Sequence, residues 1–286
     1  MKIDYANLKI AYQAHQKEFD KAIEKVLTSA HYIMGSEVSE LEAKLTQFTQ
    51  AKYALTCSSG TDALLLALMA IDVGPGDEII TSPFTFISTA ETIALLGATP
   101  VFIDIKEDSY NMDVSQVEAK INKKTKAILP VSLYGQVADM NELNQIAEKY
   151  HLPVIEDAAQ SFGASYHGKK SCSLTTLACT SFFPSKPLGC FGDAGAVFTN
   201  DSQLSEKMSS LRLHGQSKRY QYQQIGLGAR MDTLQAAVLS VKMDYYEDDI
   251  TNRQQVATKY NELLIGHIKT PIIHSFNSSV WAQYSI

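Results

Sequence analysis

A mainly parallel α/β sheet with helices on both faces is the fold class the sequence predicts, on three observations. From Tyr53 onward, apolar runs of strand length alternate with segments of helical periodicity, the pattern of strand–helix–strand units. Turn residues cluster between the runs, as at Gly74-Pro75-Gly76-Asp77, and mark where the chain reverses. The run Leu152-Pro153-Val154-Ile155-Glu156-Asp157 is apolar until it ends on two acids, and the carboxyl ends of strands are where doubly wound sheets place their ligands.

Taken in order, residues 8–48 read as helical. Phe19, Ile23, Val26 and Leu27 share one face, and Val38, Leu41, Leu45 and Phe48 share another beyond the Met34-Gly35-Ser36 break. Tyr53-Ala54-Leu55-Thr56 is the first strand, followed by Cys57-Ser58-Ser59-Gly60-Thr61-Asp62 and an apolar helix over 63–71. Strands are expected over 78–82, 101–105, 127–131, 152–157, 176–183 and 195–199, with helices ending near Leu96 and over 140–150 and 203–213. A helix starts at Thr233 and runs through Tyr246. Residues 1–245 are expected to form one large domain and residues 246–286 the beginning of a smaller one. The end at Trp281-Ala282-Gln283-Tyr284-Ser285-Ile286 alternates like a strand with no polar tail, which suggests that the smaller domain is incomplete.

The bulk properties bound the function. A chain of 286 residues, 45% hydrophobic and 20% charged, can bury a large core. Its net charge of -6 is spread without long runs of one sign, which argues against nucleic acid or an anionic membrane as partner. Cys57, Cys172, Cys179 and Cys190 lack C-x-x-C spacing and a histidine-rich tract, which excludes the usual zinc and dithiol patterns and suits buried thiols in a reducing compartment. Met1-Lys2-Ile3-Asp4-Tyr5 carries no apolar signal region, and no run reaches bilayer length, so a cytoplasmic protein is expected.

Four stretches bear chemistry. Ser58-Ser59-Gly60-Thr61 lies between a strand and a helix, where glycine allows close approach and free N–H groups favour an anion. That suits a phosphate cradle, and equally an ordinary helix cap. Asp157 at its strand end can pair with a cationic ring nitrogen or cap the turn at Ala158-Ala159-Gln160. Phe86, after Pro83-Phe84-Thr85, can stack on a flat heteroaromatic ring or pack in the core. Lys186 sits in Ser181-Phe182-Phe183-Pro184-Ser185-Lys186-Pro187-Leu188-Gly189, between an apolar approach and a glycine-bearing exit, as a covalent anchor or as a solvated surface charge.

Together these stretches resemble the sugar aminotransferases of the pyridoxal-phosphate-dependent DegT/DnrJ/EryC1/StrS family, within the aspartate aminotransferase fold (fold type I). The resemblance is carried by Ser59-Gly60-Thr61-Asp62-Ala63-Leu64, Pro83-Phe84-Thr85-Phe86, Glu156-Asp157-Ala158-Ala159-Gln160-Ser161, Ser181 through Gly189, Gly192-Asp193-Ala194-Gly195-Ala196 and Arg230-Met231-Asp232-Thr233-Leu234-Gln235-Ala236-Ala237, in family order. It implies that Lys186 forms a Schiff base with pyridoxal phosphate (PLP) and shuttles the substrate proton. It further implies that Asp157 pairs with the ring nitrogen, Gln160 with the ring hydroxyl, Phe86 stacks on the ring, and Gly60, Thr61 and Ser181 hold the phosphate. Arg230 and Tyr284 are the implied substrate contacts.

Where the family commonly carries asparagine two residues before the arginine, this chain has Gly228, which puts an inter-subunit phosphate contact in doubt. The resemblance implies a homodimer that transfers an amino group from L-glutamate to a keto nucleotide sugar for surface polysaccharide or lipopolysaccharide. Pro187, directly after the lysine, points to the 3-keto form of a UDP-linked N-acetyl hexuronic acid, with 4-keto sugars as the alternative. Related sugar dehydratases have histidine where this chain has Lys186, which argues against that chemistry. A catalytically silent regulator on the same fold is the alternative of another class.

Overall fold

The computed structural model of the protein describes residues 7–286; the expectation for residues 1–5 falls outside them. Helices α1 (Leu8–Ala14), α2 (Gln16–Ser29) and α3 (Ser36–Thr49) precede strand β1 (Tyr53–Cys57) and helix α4 (Gly60–Ala70). Next come β2 (Glu78–Thr81), α5 (Ser88–Leu95), β3 (Thr99–Phe102), α6 (Val117–Lys120), β4 (Thr125–Ile128), α7 (Met140–Tyr150) and β5 (Ile155–Asp157). The hairpin of β6 (Ser165–Tyr166) and β7 (Lys169–Lys170) leads to β8 (Leu177–Ser181), β9 (Gly195–Thr199) and α8 (Ser202–Leu211). A second hairpin, β10 (Gln216–Lys218) and β11 (Gln221–Tyr222), precedes α9 (Thr233–Met243), α10 (Tyr246–Leu264) and β12 (Asn277–Ser278).

The central sheet is mainly parallel, as its alternating pattern predicts. β2 pairs in parallel with β3 and β4, parallel bridges at Ile128/Val154 and Val131/Asp157 carry the sheet to β5, and β5 runs parallel to β8. The order is therefore β3-β2-β4-β5-β8-β9-β1, with β9 antiparallel to both its neighbours. Strand alternation sends Leu55, Cys57, Leu177, Cys179 and Val197 to one face, into a core with residues of α4 and α8. Ala54, Ala178, Ala196 and Phe198 face the other way, into a core with residues of α3 and α9. Both faces are thus covered, and the functional loops collect at the strand ends.

Several boundaries differ from the sequence reading. His15, at φ -130, separates α1 from α2, so the first helical stretch breaks once more than expected. The helix from Thr233 stops at Met243, and α10 starts afresh at Tyr246, whose ring is buried against Phe162 and Phe48. The expected strand over 101–105 lies at Thr99–Phe102, where Glu78 and Thr99 set the register. The strand-like alternation at residues 281–286 forms no ladder: Trp281 adopts φ 50, a left-handed conformation that interrupts an extended chain, and pairing stops at Asn277–Ser278. All four cysteines are buried free thiols. Among the described residues, no helix is long and apolar enough to cross a membrane, and no cluster of three or more His, Cys, Asp or Glu could hold a metal ion.

Candidate active site

Three strand ends meet where α4 begins. Gly195, the first residue of β9, is in register with Cys57 at the end of β1 and with Ser181 at the end of β8. The chain turns there through Ser58 and Ser59 into Gly60. Ser59 is a true cap, its Oγ accepting the Asp62 N–H at 3.0 Å, while the Ser58 and Ser59 hydroxyls both donate to Asp62 Oδ2. The first-turn N–H groups of Gly60 and Thr61 have no acceptor within their own helix and lie at its positive end. The position at Gly60 requires glycine: a Cβ there would stand 2.6 Å from Ser181 Cβ. Thr61 Oγ1 lies 2.9 Å from Ser88 Oγ at the start of α5. Gly60 and Thr61 therefore open α4 with Ser181 packed directly against Gly60.

Asp157 ends β5, 5% exposed. Its Oδ2 accepts the Thr89 hydroxyl at 2.8 Å and its Oδ1 accepts the Ala159 N–H at 3.2 Å. Thr89 is in turn 2.9 Å from the hydroxyl of Thr85, so a relay from the approach to α5 into its first turn aims the carboxyl. Burial pushes the Asp157 carboxyl above the ordinary aspartate range, against the opposing pull of Thr89, Ala159 and the Lys186 charge. Burial likewise lowers the Lys186 ammonium, while the Asp157 charge works to raise it. The two groups are electrostatic neighbours. No helix starts after Asp157; its contact with Ala159 is a local turn.

Gln160 is held from behind. The N–H of Tyr134, a residue in the left-handed region at φ 56, donates to Gln160 Oε1 at 2.7 Å. With the oxygen fixed, the amide –NH2 is the end left to donate elsewhere.

Lys186 follows a tight turn in which its N–H donates to Phe183 O at 2.8 Å. The residue helps line an open cavity of about 450 Å³ together with Tyr284, Trp281, Gln283 and Arg253. Tyr284 is placed there by its hydroxyl, which donates to Asn261 Oδ1 at 2.6 Å, and by packing on Trp281 and Tyr260. Trp281 is fixed by Gln254 through its indole N–H and by Arg253 through its carbonyl. The structure thus brings Tyr284 beside Lys186.

Arg230 does not line this cavity. It is half-buried and follows Ala229, whose carbonyl accepts the Ser58 N–H at 3.2 Å, which sets it next to the turn before α4. A Cβ at Gly228 would meet the His214 ring at 2.9 Å, so an asparagine there would require His214 to move. Phe86, 68% exposed, lies just ahead of α5 and outside the cavity. The residues that the sequence reading missed are Thr89, Tyr134, Arg253 and Trp281. Thr85 lies before α5 and Thr89 inside it, so no helical spacing in the sequence links the pair.

Residues 13–286 match the DegT/DnrJ/EryC1/StrS aminotransferase family. The UDP-2-acetamido-2-deoxy-3-oxo-D-glucuronate aminotransferase of Pseudomonas aeruginosa is 53% identical over 99% of this chain and 79% of its own length. A pleiotropic regulatory protein of Geobacillus stearothermophilus is 44% identical over all of this chain and 78% of its own. Among solved structures, NtdA of Bacillus subtilis with bound cofactor PMP superposes with a TM-score of 0.93 at 29% identity, covering 99% of this chain and 66% of that one. With a family match across nearly the whole chain and a relative more than half identical to it, the protein belongs to the DegT/DnrJ/EryC1/StrS aminotransferase family.

Proposed function

We propose that the protein transfers an amino group from L-glutamate to a keto nucleotide sugar, using PLP and its amine form PMP, and that the sugar is a UDP-linked 3-keto N-acetyl hexuronic acid destined for surface polysaccharide. The observation that carries this reading is the convergence of strand ends: Asp157 at the end of β5 is in register with Cys179 of β8, Ser181 two residues on abuts Gly60 at the start of α4, and Lys186 follows in the loop from β8 as an electrostatic neighbour of Asp157. The 53% identity to the 3-oxo-glucuronate enzyme supports the substrate class.

The residues fit the cofactor. Asp157 is a buried acid whose hydrogen bonds come from Thr89 and Ala159, with room left in its acceptor capacity for a ring N–H. Gly60 packs so closely on Ser181 that a Cβ there would clash, which keeps Ser181 at the first turn of α4. When bound, PLP supplies an aldehyde that condenses with amines and a protonated ring that draws electrons from the substrate Cα.

The chain's own residues do the rest. Gly60 and Thr61 donate backbone N–H groups, and Ser181 its hydroxyl, to the phosphate. Asp157 accepts the ring N–H and so keeps that nitrogen protonated, and the Thr85–Thr89 relay keeps the carboxyl aimed. Gln160 donates its –NH2 to the ring hydroxyl, and Phe86 covers one ring face. Lys186 Nζ would anchor the cofactor and, as a free amine, would carry the proton from the substrate Cα to the cofactor C4′; burial favours the neutral amine this requires. Tyr284, in a second unit formed by residues 246–286, would contact the substrate in the cavity it lines with Lys186, and Arg230 would take an anionic group. The large unit that binds the cofactor is residues 1–245.

The working unit is a homodimer in the cytoplasm. Phe84, Ile87, Leu95 and Phe102 are exposed apolar residues on and around α5, which supports a second copy packing there; a monomer mass in sedimentation at micromolar concentration would overturn this part. Four buried thiols and no disulfide suit a reducing compartment.

The relative named a pleiotropic regulatory protein favours a second reading, a binding protein without turnover. One experiment separates the readings: the protein is incubated with glutamate and a panel of 3-keto and 4-keto nucleotide sugars, and product masses are read. The expected result is amination of the 3-keto uronic acid. Preference for a 4-keto sugar would replace the substrate, and no amination of any member with cofactor bound would leave the regulator.

A further inference from the structure

The second acid of β5 has no part in the chemistry described above. Glu156 is fully buried, and strand alternation turns its carboxyl to the sheet face opposite that of Asp157. Its Oε1 accepts the hydroxyls of Ser132 and Ser171, each at 2.8 Å, and more distantly that of Ser161 at 3.4 Å. Its Oε2 accepts the N–H of Cys172 at 2.9 Å. All four donors are neutral, and among the described residues no cation pairs with it. Burial still pushes the Glu156 carboxyl above the ordinary glutamate range against the pull of these four donors, so the charged form is retained against a standing penalty.

Its four donors belong to the segments that build the site. Ser132 donates its N–H to Asp157 O at 3.0 Å and stands two residues before Tyr134, which fixes Gln160. Ser161 directly follows Gln160. Ser171 and Cys172 follow β7, in the hairpin whose other strand, β6, pairs with β12; from β12 the chain runs on into the Trp281–Ser285 wall of the Lys186 cavity. Cys172 is held in the left-handed region at φ 73 with its N–H on the carboxylate.

We propose that Glu156 is a positioning residue: by holding these four donors, its carboxylate keeps Asp157, Gln160 and the Trp281–Ser285 wall in the mutual placement that the reaction needs. The proposal rests on the cofactor reading above. Glu156→Gln keeps the shape and removes the charge: its oxygen can still accept the Cys172 N–H, but the –NH2 must donate to serine hydroxyls that now have to turn away, so the charge-assisted bonds to Ser132 and Ser171 are lost and the node loosens without leaving a cavity.

The test compares wild type, Glu156→Gln and Thr199→Val. The last removes a buried hydroxyl contact, to Thr176 O, at the end of β9 remote from Gly195. Each is measured for thermal midpoint, for the Kd of PLP on the apoprotein, and for kcat and KM with glutamate, per folded molecule. Small misplacements at a reacting centre cost about 10- to 100-fold, and Glu156→Gln is expected to lose kcat in that range with KM for glutamate little changed, and to bind PLP about tenfold more weakly. Thr199→Val is expected to lower the thermal midpoint alone. If Glu156→Gln also lowered only the midpoint, the residue would be structural and the proposal overturned. Should Glu156→Gln not fold, Ser171→Ala removes one donor; a smaller loss of kcat and PLP affinity in the same direction supports the proposal, and unchanged values overturn it. A wild type that binds no PLP overturns the cofactor reading itself, a failure seen before any variant is made.

Discussion

Lys186→Ala is expected to reduce transamination with glutamate by at least about 10³-fold, within the range that a positioned proton-transfer group contributes. Burial lowers the Lys186 pKa and the neighbouring Asp157 charge limits that shift, so the neutral amine is reached at a lower pH than for a free lysine. The variant leaves the cradle of Gly60, Thr61 and Ser181 intact, so PLP should still bind without being attached. Borohydride treatment followed by mass spectrometry should find the cofactor fixed to Lys186 in the wild type and to nothing in Lys186→Ala. Lys186→Arg sharpens the test, because a guanidinium restores the positive charge beside Asp157 but stays protonated and cannot accept a proton. It too should be inactive. The wild-type rate should rise with pH as the lysine deprotonates, at a pH below the ordinary lysine range, and this limb should be missing in both variants. Full transamination by Lys186→Ala would remove the proposed mechanism.

Much of this site is legible in the sequence because its parts are local. Ser59, Gly60 and Thr61 announce a helix start, and the backbone they specify is the anion site itself. Asp157 is legible because charge at the end of an apolar strand requires a partner. Thr89 and Tyr134 were not legible, since their contacts span 68 and 26 residues of chain, and Tyr134 depends on a left-handed backbone that no residue pattern marks. The direction of β9 was hidden for a similar reason: a buried strand has the same composition whichever way it runs. The alternation at Trp281 to Ile286 misled because period two shows only that residues would face opposite ways if extended. Here Arg253, Gln254 and Asn261 of α10 hold the segment through its carbonyls and side chains instead of a ladder.

Asp157→Asn should separate catalysis from stability in opposite directions. Turnover is expected to fall about 10²- to 10³-fold, the loss typical when one preorganised electrostatic partner of the developing charge is removed. An amide cannot hold a proton on the ring nitrogen as a carboxylate does. Stability of the apoprotein should move the other way. The folded pKa of Asp157 is raised by burial, so the native state favours the protonated acid; that contribution is present at low pH and is lost as pH rises through the folded value. Above it, a buried carboxylate weighs on the fold.

Asparagine does not ionise, and it fits: Oδ1 can keep the Ala159 N–H, while –NH2 donates to Thr89 Oγ1, whose own hydroxyl turns to Thr85. Apo Asp157→Asn should therefore melt above apo wild type at neutral pH, by roughly 1 to 2 kcal/mol as for a relieved buried polar group, and the gap should close as pH falls through the Asp157 pKa. Saturating PLP should reverse the order, because the ring N–H gives the carboxylate the partner it lacks and ligand binding stabilises the better binder more. Thermal melts of both proteins across pH, with and without PLP, read all of this at once. A variant less stable than wild type in the apo form at neutral pH, or one gaining as much from PLP as wild type does, would show that Asp157 is held for the fold and not for the ring.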